Sequence, residues 1–141
     1  MNKIILMSIF ALFTAASCYA QNSDEKAIKQ TIIGFSKAGD VYDADKLATY
    51  LDNSYRIVMN RLFGSTEVTI MPKDVYLEKI KTKEYGGDNR KVDIESITLN
   101  GTTASAKVSF IGTKMTFLSI LTLIKDGDNQ WKIVSDIPIV K

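Results

Sequence analysis

From Phe117 to Val134, FLSILTLIKDGDNQWKIV, apolar residues fill both alternating sets of positions: Leu118, Ile120 and Ile124 on one, Phe117, Leu121 and Leu123 on the other. A strand written for water on neither side has to be covered on both. Asp126-Gly127-Asp128-Asn129 supplies a four-residue turn, because Gly and Asn tolerate positive φ and Asp bonds its own backbone. The stretch predicts a buried central hairpin, and the other elements follow from the cover it needs.

Upstream, Asn22-Ser23-Asp24-Glu25 reads as a capping box that starts a helix. Ile28, Ile32 and Phe35 continue it as one apolar stripe until Gly39-Asp40 stops it. Asp43 caps a short second helix carrying Leu47, Ala48 and Leu51, ending at Asp52-Asn53. Tyr55 to Leu62 is rich in strand formers, Gly64-Ser65-Thr66 turns the chain, and Glu67 to Met71 returns it. Pro72 ends that strand and suits the first turn of a third helix, which buries Tyr76, Leu77 and Ile80. The breaker-rich segment Glu84 to Asn89 reads as a mobile loop.

From Arg90 onward the pattern is sheet. Asn100-Gly101 is a strong hairpin signal, and a two-residue turn there sets Leu99 opposite Thr102 and Ile97 opposite Ala104. The alternation of Val92, Ile94, Ile97 and Leu99 changes phase after Ile94, so one extra residue, Glu95 or Ser96, predicts a β-bulge that curves the sheet. Gly112-Thr113 makes the next turn. A helix pair, a hairpin, a short helix and a four-stranded meander together predict an α+β class. The expected architecture is a cone-like fold of N-terminal helices packed on a curved, mainly antiparallel sheet.

Composition changes this picture at one end only. With 141 residues, 45% hydrophobic and 24% charged, the chain suits a single domain. Met1-Asn2-Lys3, the apolar run Ile4 to Phe13 and the small residues that follow read as a secretory signal peptide over residues 1–20, cleaved after Ala20, with residues 21–141 as the domain. Export to the periplasm or outside the cell is the expectation. Lipid attachment at Cys18 is the weaker alternative, since Ala15 stands where a lipobox carries Leu. The run is shorter than the roughly 20 residues that span a bilayer, so the mature chain is expected to have no membrane span. Cleavage removes only Lys3 of the 18 basic residues, leaving a net charge of +1 against the 16 acidic ones. Lys73, Lys79, Lys81 and Lys83 are interleaved with Asp74, Glu78 and Glu84, a solvated helix face, so no nucleic-acid partner is expected.

The element order and the ending Leu121-Thr122-Leu123-Ile124-Lys125, Gly127, Trp131-Lys132-Ile133-Val134 resemble the nuclear transport factor 2-like superfamily. Within it the chain is similar to the putative lumazine-binding family, small bacterial proteins with this finish and an "I-N-G-A-A-V" type of strand before it, here Ile97 to Val108. The resemblance covers about Asp24 to Asp136. It implies a pocket between the concave sheet face and the helices, and pairing of two copies through the other sheet surface. It does not select a function, because the superfamily mixes isomerases, dehydratases, epoxide hydrolases, polyketide cyclases and non-catalytic binders.

The two predicted turns assign the faces. Turns at 112–113 and 126–129 set Ala106 beside Ser119 and Ser119 beside Asp136, with Val108 beside Phe117, and Ala104 beside Leu121 and Val134. Small residues at the centre of that face leave a hollow, so Asp136, Ser119, Phe117 and Ala106 are the candidate ligand-binding residues, and Arg56 on the first strand is a fifth. Asp136 is the sharpest candidate, since burial raises a carboxyl's pKa, although a register slip of one residue sends it to the other face. No histidine is present and Cys18 is the only cysteine, which excludes a His-based metal site and a mature thiolate nucleophile. No cofactor, metal or catalytic set is assigned. The expected function is an exported domain that binds a small apolar or aromatic molecule, or a partner, without catalysis. The alternative is an isomerase-, cyclase- or hydrolase-like enzyme with Asp136 as acid or base. On the opposite face Leu118, Ile120, Ile124, Trp131 and Ile133 predict a homodimer interface.

Overall fold

The computed structural model describes the backbone of residues 2–141 and the side chains of residues 19–141. The expected signal peptide, with Cys18 in it, lies outside the described residues for all side chains but those of Tyr19 and Ala20. The elements are α1 (Asn2–Asp40), α2 (Ala44–Ala48), β1 (Leu51–Asn60), a 3-10 turn (Leu62–Gly64), β2 (Val68–Pro72), α3 (Lys73–Lys81), β3 (Lys91–Asn100), β4 (Thr103–Ile111), β5 (Thr116–Lys125) and β6 (Trp131–Val140). The strands form one curved, unclosed sheet in the order β2-β1-β6-β5-β4-β3, with the helices packed on its concave face. Among the described residues β1 and β6 run parallel and the other four pairs are antiparallel.

The helix expected to begin at Asn22 does not begin there: α1 runs through from Asn2. The capping-box residues turn to other partners. Ser23 Oγ donates back to the Ala20 carbonyl (2.8 Å), and Glu25 accepts from Lys29 Nζ (2.6 Å) one turn on. Asp24 instead reaches the sheet, accepting from Lys125 Nζ (2.8 Å) and Trp131 Nε1 (3.0 Å). The stripe of Ile28, Ile32 and Phe35 is buried as the spacing predicts, and α1 ends at Asp40. Asp43 caps α2, accepting from the Lys46 N–H (2.9 Å), but α2 stops at Ala48 and Leu51 opens β1 instead.

The sheet register departs from expectation by two residues at the first two turns of the meander, and by one residue at the third, with a second added further along β6. At the β3–β4 turn Gly101 and Thr102 are the central residues, with Asn100 opposite Thr103. Gly101 has φ +60° and Asn100 does not take positive φ, so the turn follows a Gly-X rather than an Asn-Gly pattern. The bulge falls at Glu95, between Ile94 opposite Val108 and Ser96 opposite Lys107. The β4–β5 turn spans four residues, 112–115, with Ile111 opposite Thr116.

The β5–β6 turn spans five residues, 126–130, closed by Asp126 Oδ1 accepting from the N–H groups of Asp128 (2.9 Å) and Gln130 (2.8 Å). The extra residue puts Trp131 beside Lys125 and Ile133 beside Leu123. Both are in the core, at 3% and 0% exposure, not on the outer face where a four-residue turn would set them. A second irregularity, with Val134 as the unpaired residue between Ile133 and Ser135, returns the strand to its former phase. The outer face consequently carries Leu118 opposite Ile139 and Ile120 opposite Ile137, with Ile124 further along.

Candidate functional site

A cavity of about 320 Å³ opens between the concave sheet face, α1 and α3. Its inner end is polar. Asp136, on β6, and Ser119, on β5, face into it with Ile57 of β1; Phe35, Tyr76, Phe110 and Phe117 form its walls. The mouth lies between the 3-10 turn, with Leu62 and Phe63, and the segments 84–90 and 114–115. Those two segments are stapled together: Asp88 accepts from Thr113 Oγ1 (2.6 Å) and from the N–H groups of Asn89 (2.7 Å), Thr113 (3.1 Å) and Lys114 (3.3 Å). These bonds hold the Asp88 carboxyl well below the usual range, the Thr113 hydroxyl first among them. The loop that composition marks as mobile is thereby anchored, with the Gly87 N–H also bonded to the Gly39 carbonyl (3.2 Å).

Asp136 is 8% exposed and its Oδ1 has no hydrogen-bond partner among the described residues. Burial pushes its pKa up to about 6, against the Ser119 hydroxyl and the Arg90 charge, both of which favour the ionised form. The Tyr55 hydroxyl is likewise buried and unpartnered, and its pKa is driven up by burial and then by the Asp136 charge. Burial raises Tyr76 as well. Arg90 lines the cavity but is spoken for: its Nε donates to Asp40 Oδ1 (2.5 Å), its Nη2 to the Ser36 carbonyl (2.8 Å), and its guanidinium lies 5.5 Å from the Phe110 ring centre.

Of the residues singled out from sequence, Asp136, Ser119 and Phe117 line the cavity. Ala106 does not. It sits on the same face but opposite Leu121, which is fully buried and fills the hollow that small residues were expected to leave. Arg56 does not either: it is exposed on the outer face between Tyr55 and Ile57, both buried on the inner one, and pairs with Pro72 and Ser135. Sequence reasoning missed Phe110, Arg90 and Met115. Phe110 had a signal, since it continues the inward alternation of Ala104, Ala106 and Val108. Arg90 had none, because its place depends on a bond to Asp40, fifty positions away in the chain.

Among the described residues no group of three or more Asp, Glu, His or Cys stands close enough to hold a metal ion, and no helix is long and apolar enough to cross a membrane. The family model described as putative lumazine-binding matches residues 23–137. The chain belongs to that family. Its fold is that of the nuclear transport factor 2-like superfamily: a nuclear transport factor 2-like protein of unknown function from Silicibacter pomeroyi superposes with a TM-score of 0.75 at 17% identity, over 86% of this chain and 98% of that one. A second, from Shewanella baltica, gives 0.73 at 19% identity, over 84% and 94%. A ketosteroid isomerase-like protein from Erwinia carotovora gives 0.63 at 11% identity, over 82% and 94%. At these identities the likeness carries the fold alone. No curated protein matches the chain. As a member of the putative lumazine-binding family, the chain has a cone whose interior is part core and part cavity, with Leu121 marking the boundary.

Proposed function

We propose that this domain binds a small, largely apolar molecule in the cone cavity, with Asp136 as its polar anchor and without a chemical step. The observation that carries the reading is the Asp136 Oδ1 atom, buried and unpartnered at the end of an apolar-walled cavity. An acceptor left so costs about 1–3 kcal/mol, which a ligand donor would offset. Lumazines and flavins are the first probes, given the family, and their fluorescence gives a direct titration. Asp136→Asn keeps the shape and removes the charge, and should weaken binding by roughly 1–3 kcal/mol. Equal affinity of the variant and the wild type would remove Asp136 from the site.

A second reading is favoured by one observation: a carboxyl with a pKa of about 6 stands close to the value a general base needs near neutral pH. The two separate cleanly. NMR of a ligand recovered after incubation shows an unchanged molecule if the domain only binds, and an isomer or hydrolysis product if Asp136 works as acid or base.

The domain is also read as exported, on the strength of Lys3, the apolar run that follows and Ala20 at the cleavage position. The outer sheet face supports pairing of two copies through Leu118, Ile120 and Ile124, joined by Ile137 and Ile139, which are 37% and 50% exposed.

A further inference from the structure

Among the described residues five charged side chains line the cavity, and four of them are already hydrogen-bonded. Arg90 is held by Asp40 and the Ser36 carbonyl, Lys114 Nζ donates to the Gly87 carbonyl (3.2 Å), Glu84 accepts from Lys79 Nζ (2.6 Å), and Asp88 accepts from Thr113 and three backbone N–H groups. Asp136 is the fifth, with one oxygen unpartnered. Next to it the walls are a chain of rings: Phe35 lies 6.0 Å from Phe110 and 6.4 Å from Tyr76, and Tyr76 lies 6.5 Å from Tyr85.

We propose that the ligand is an organic ammonium, a protonated amine on an apolar body, whose N–H donates to Asp136 Oδ1 while its charge rests among the aromatic walls. The inference rests on the cavity being a ligand site and adds the sign of the ligand's charge. A neutral donor would satisfy the free oxygen but leave the carboxylate's charge uncompensated. An ammonium does both, since a nearby positive charge favours the ionised carboxyl and the negative faces of aromatic rings attract cations. Arg90 does not oppose this strongly, because Asp40 at 2.5 Å offsets its charge. An anionic ligand would be set against a buried carboxylate, with Arg90, already paired to Asp40, as the cation acting on it.

The test uses three probes of nearly equal shape, each small enough for about 320 Å³: 2-phenylethylamine, 2-phenylethanol and phenylacetate. Calorimetric titration of the wild-type chain at pH 7 should rank the amine at least tenfold tighter than the alcohol, with no measurable binding of the carboxylate. Asp136→Asn, checked for folding by circular dichroism, should cost the amine more affinity than the alcohol and bring the two to equal affinity for the variant. If the alcohol binds wild type as well as the amine does, or the amine's preference survives in Asp136→Asn, the ammonium inference is overturned and the cavity stands as a site for neutral molecules. If none of the three binds, the ammonium inference is overturned, and the lumazine and flavin titrations decide the cavity reading separately.

Discussion

Ser119 and Asp136 face one cavity although neither lies across from the other: Ser119 is opposite Pro138, and Asp136 is opposite Leu121. The serine hydroxyl therefore meets the carboxyl on the diagonal between strands, where it favours ionisation without supplying the second oxygen with a partner.

The first expectation is a stability profile with a sign set by Asp136. Its folded pKa is about 6 and its ordinary value 3.8, so between about pH 4 and 6 the folded chain holds a proton that the unfolded chain has lost. Stability from this group is full below that window, falls as pH rises through it and is level above. Ionising the carboxyl in its buried place costs on the order of 3 kcal/mol. Asp136→Asn should match the wild type near pH 4 and exceed it by up to about that amount at pH 7, as read by urea melts of both proteins. A difference independent of pH would contradict the assignment.

The second concerns the staple at the cavity mouth. Asp88→Ala removes every acceptor that ties the 84–89 loop to the 112–115 turn through this side chain. Amide hydrogen exchange should quicken at Thr113 and Lys114 and leave β4 and β5 unchanged. Unaltered exchange at those two amides would show that the turn holds itself.

The third tests the outer face. Ile120→Lys would set an unpaired charge at an interface between copies, at a cost on the order of 3–5 kcal/mol. Light scattering should report a dimer for the wild type and a monomer for the variant. A wild type that stays monomeric at high micromolar concentration would end the dimer proposal.

The fourth concerns processing. Intact-mass measurement of the protein taken from its source should give a chain beginning at Gln21. A diacylglyceryl group on Cys18 would show lipid attachment instead.

Fold class and the cavity-facing side of the sheet were legible in the sequence because both depend on parity. An error of two residues in a hairpin register keeps every side chain on its face, which is why Asp136, Ser119 and Phe117 reach the cavity although their partners differ. The β5–β6 turn shows how narrow that margin is. Its fifth residue moved Trp131 and Ile133 into the core, and the irregularity at Val134 then restored the phase before Asp136. Neither is written in the composition of the turn, since Asp126-Gly127-Asp128-Asn129 accommodates four residues or five. Arg56 failed for a simpler reason: the inner residues of β1 are its neighbours Tyr55 and Ile57, whose burial outweighs any polar role on that face. The side of the cavity formed by Arg90 and Met115 depends on long-range bonds that no local pattern encodes.

β6 lies between β5 and β1, so the last ten residues of the sheet, Trp131–Val140, are the seam that joins its two halves. Until that strand has left the ribosome, the β1–β2 hairpin has nothing to pair with on its inner edge, and the inner end of the cavity lacks its carboxyl. Synthesis from the N-terminus thus holds the two halves of the sheet apart until Trp131–Val140 emerges, so the strand made last among the six is the one that closes the sheet and completes the cavity.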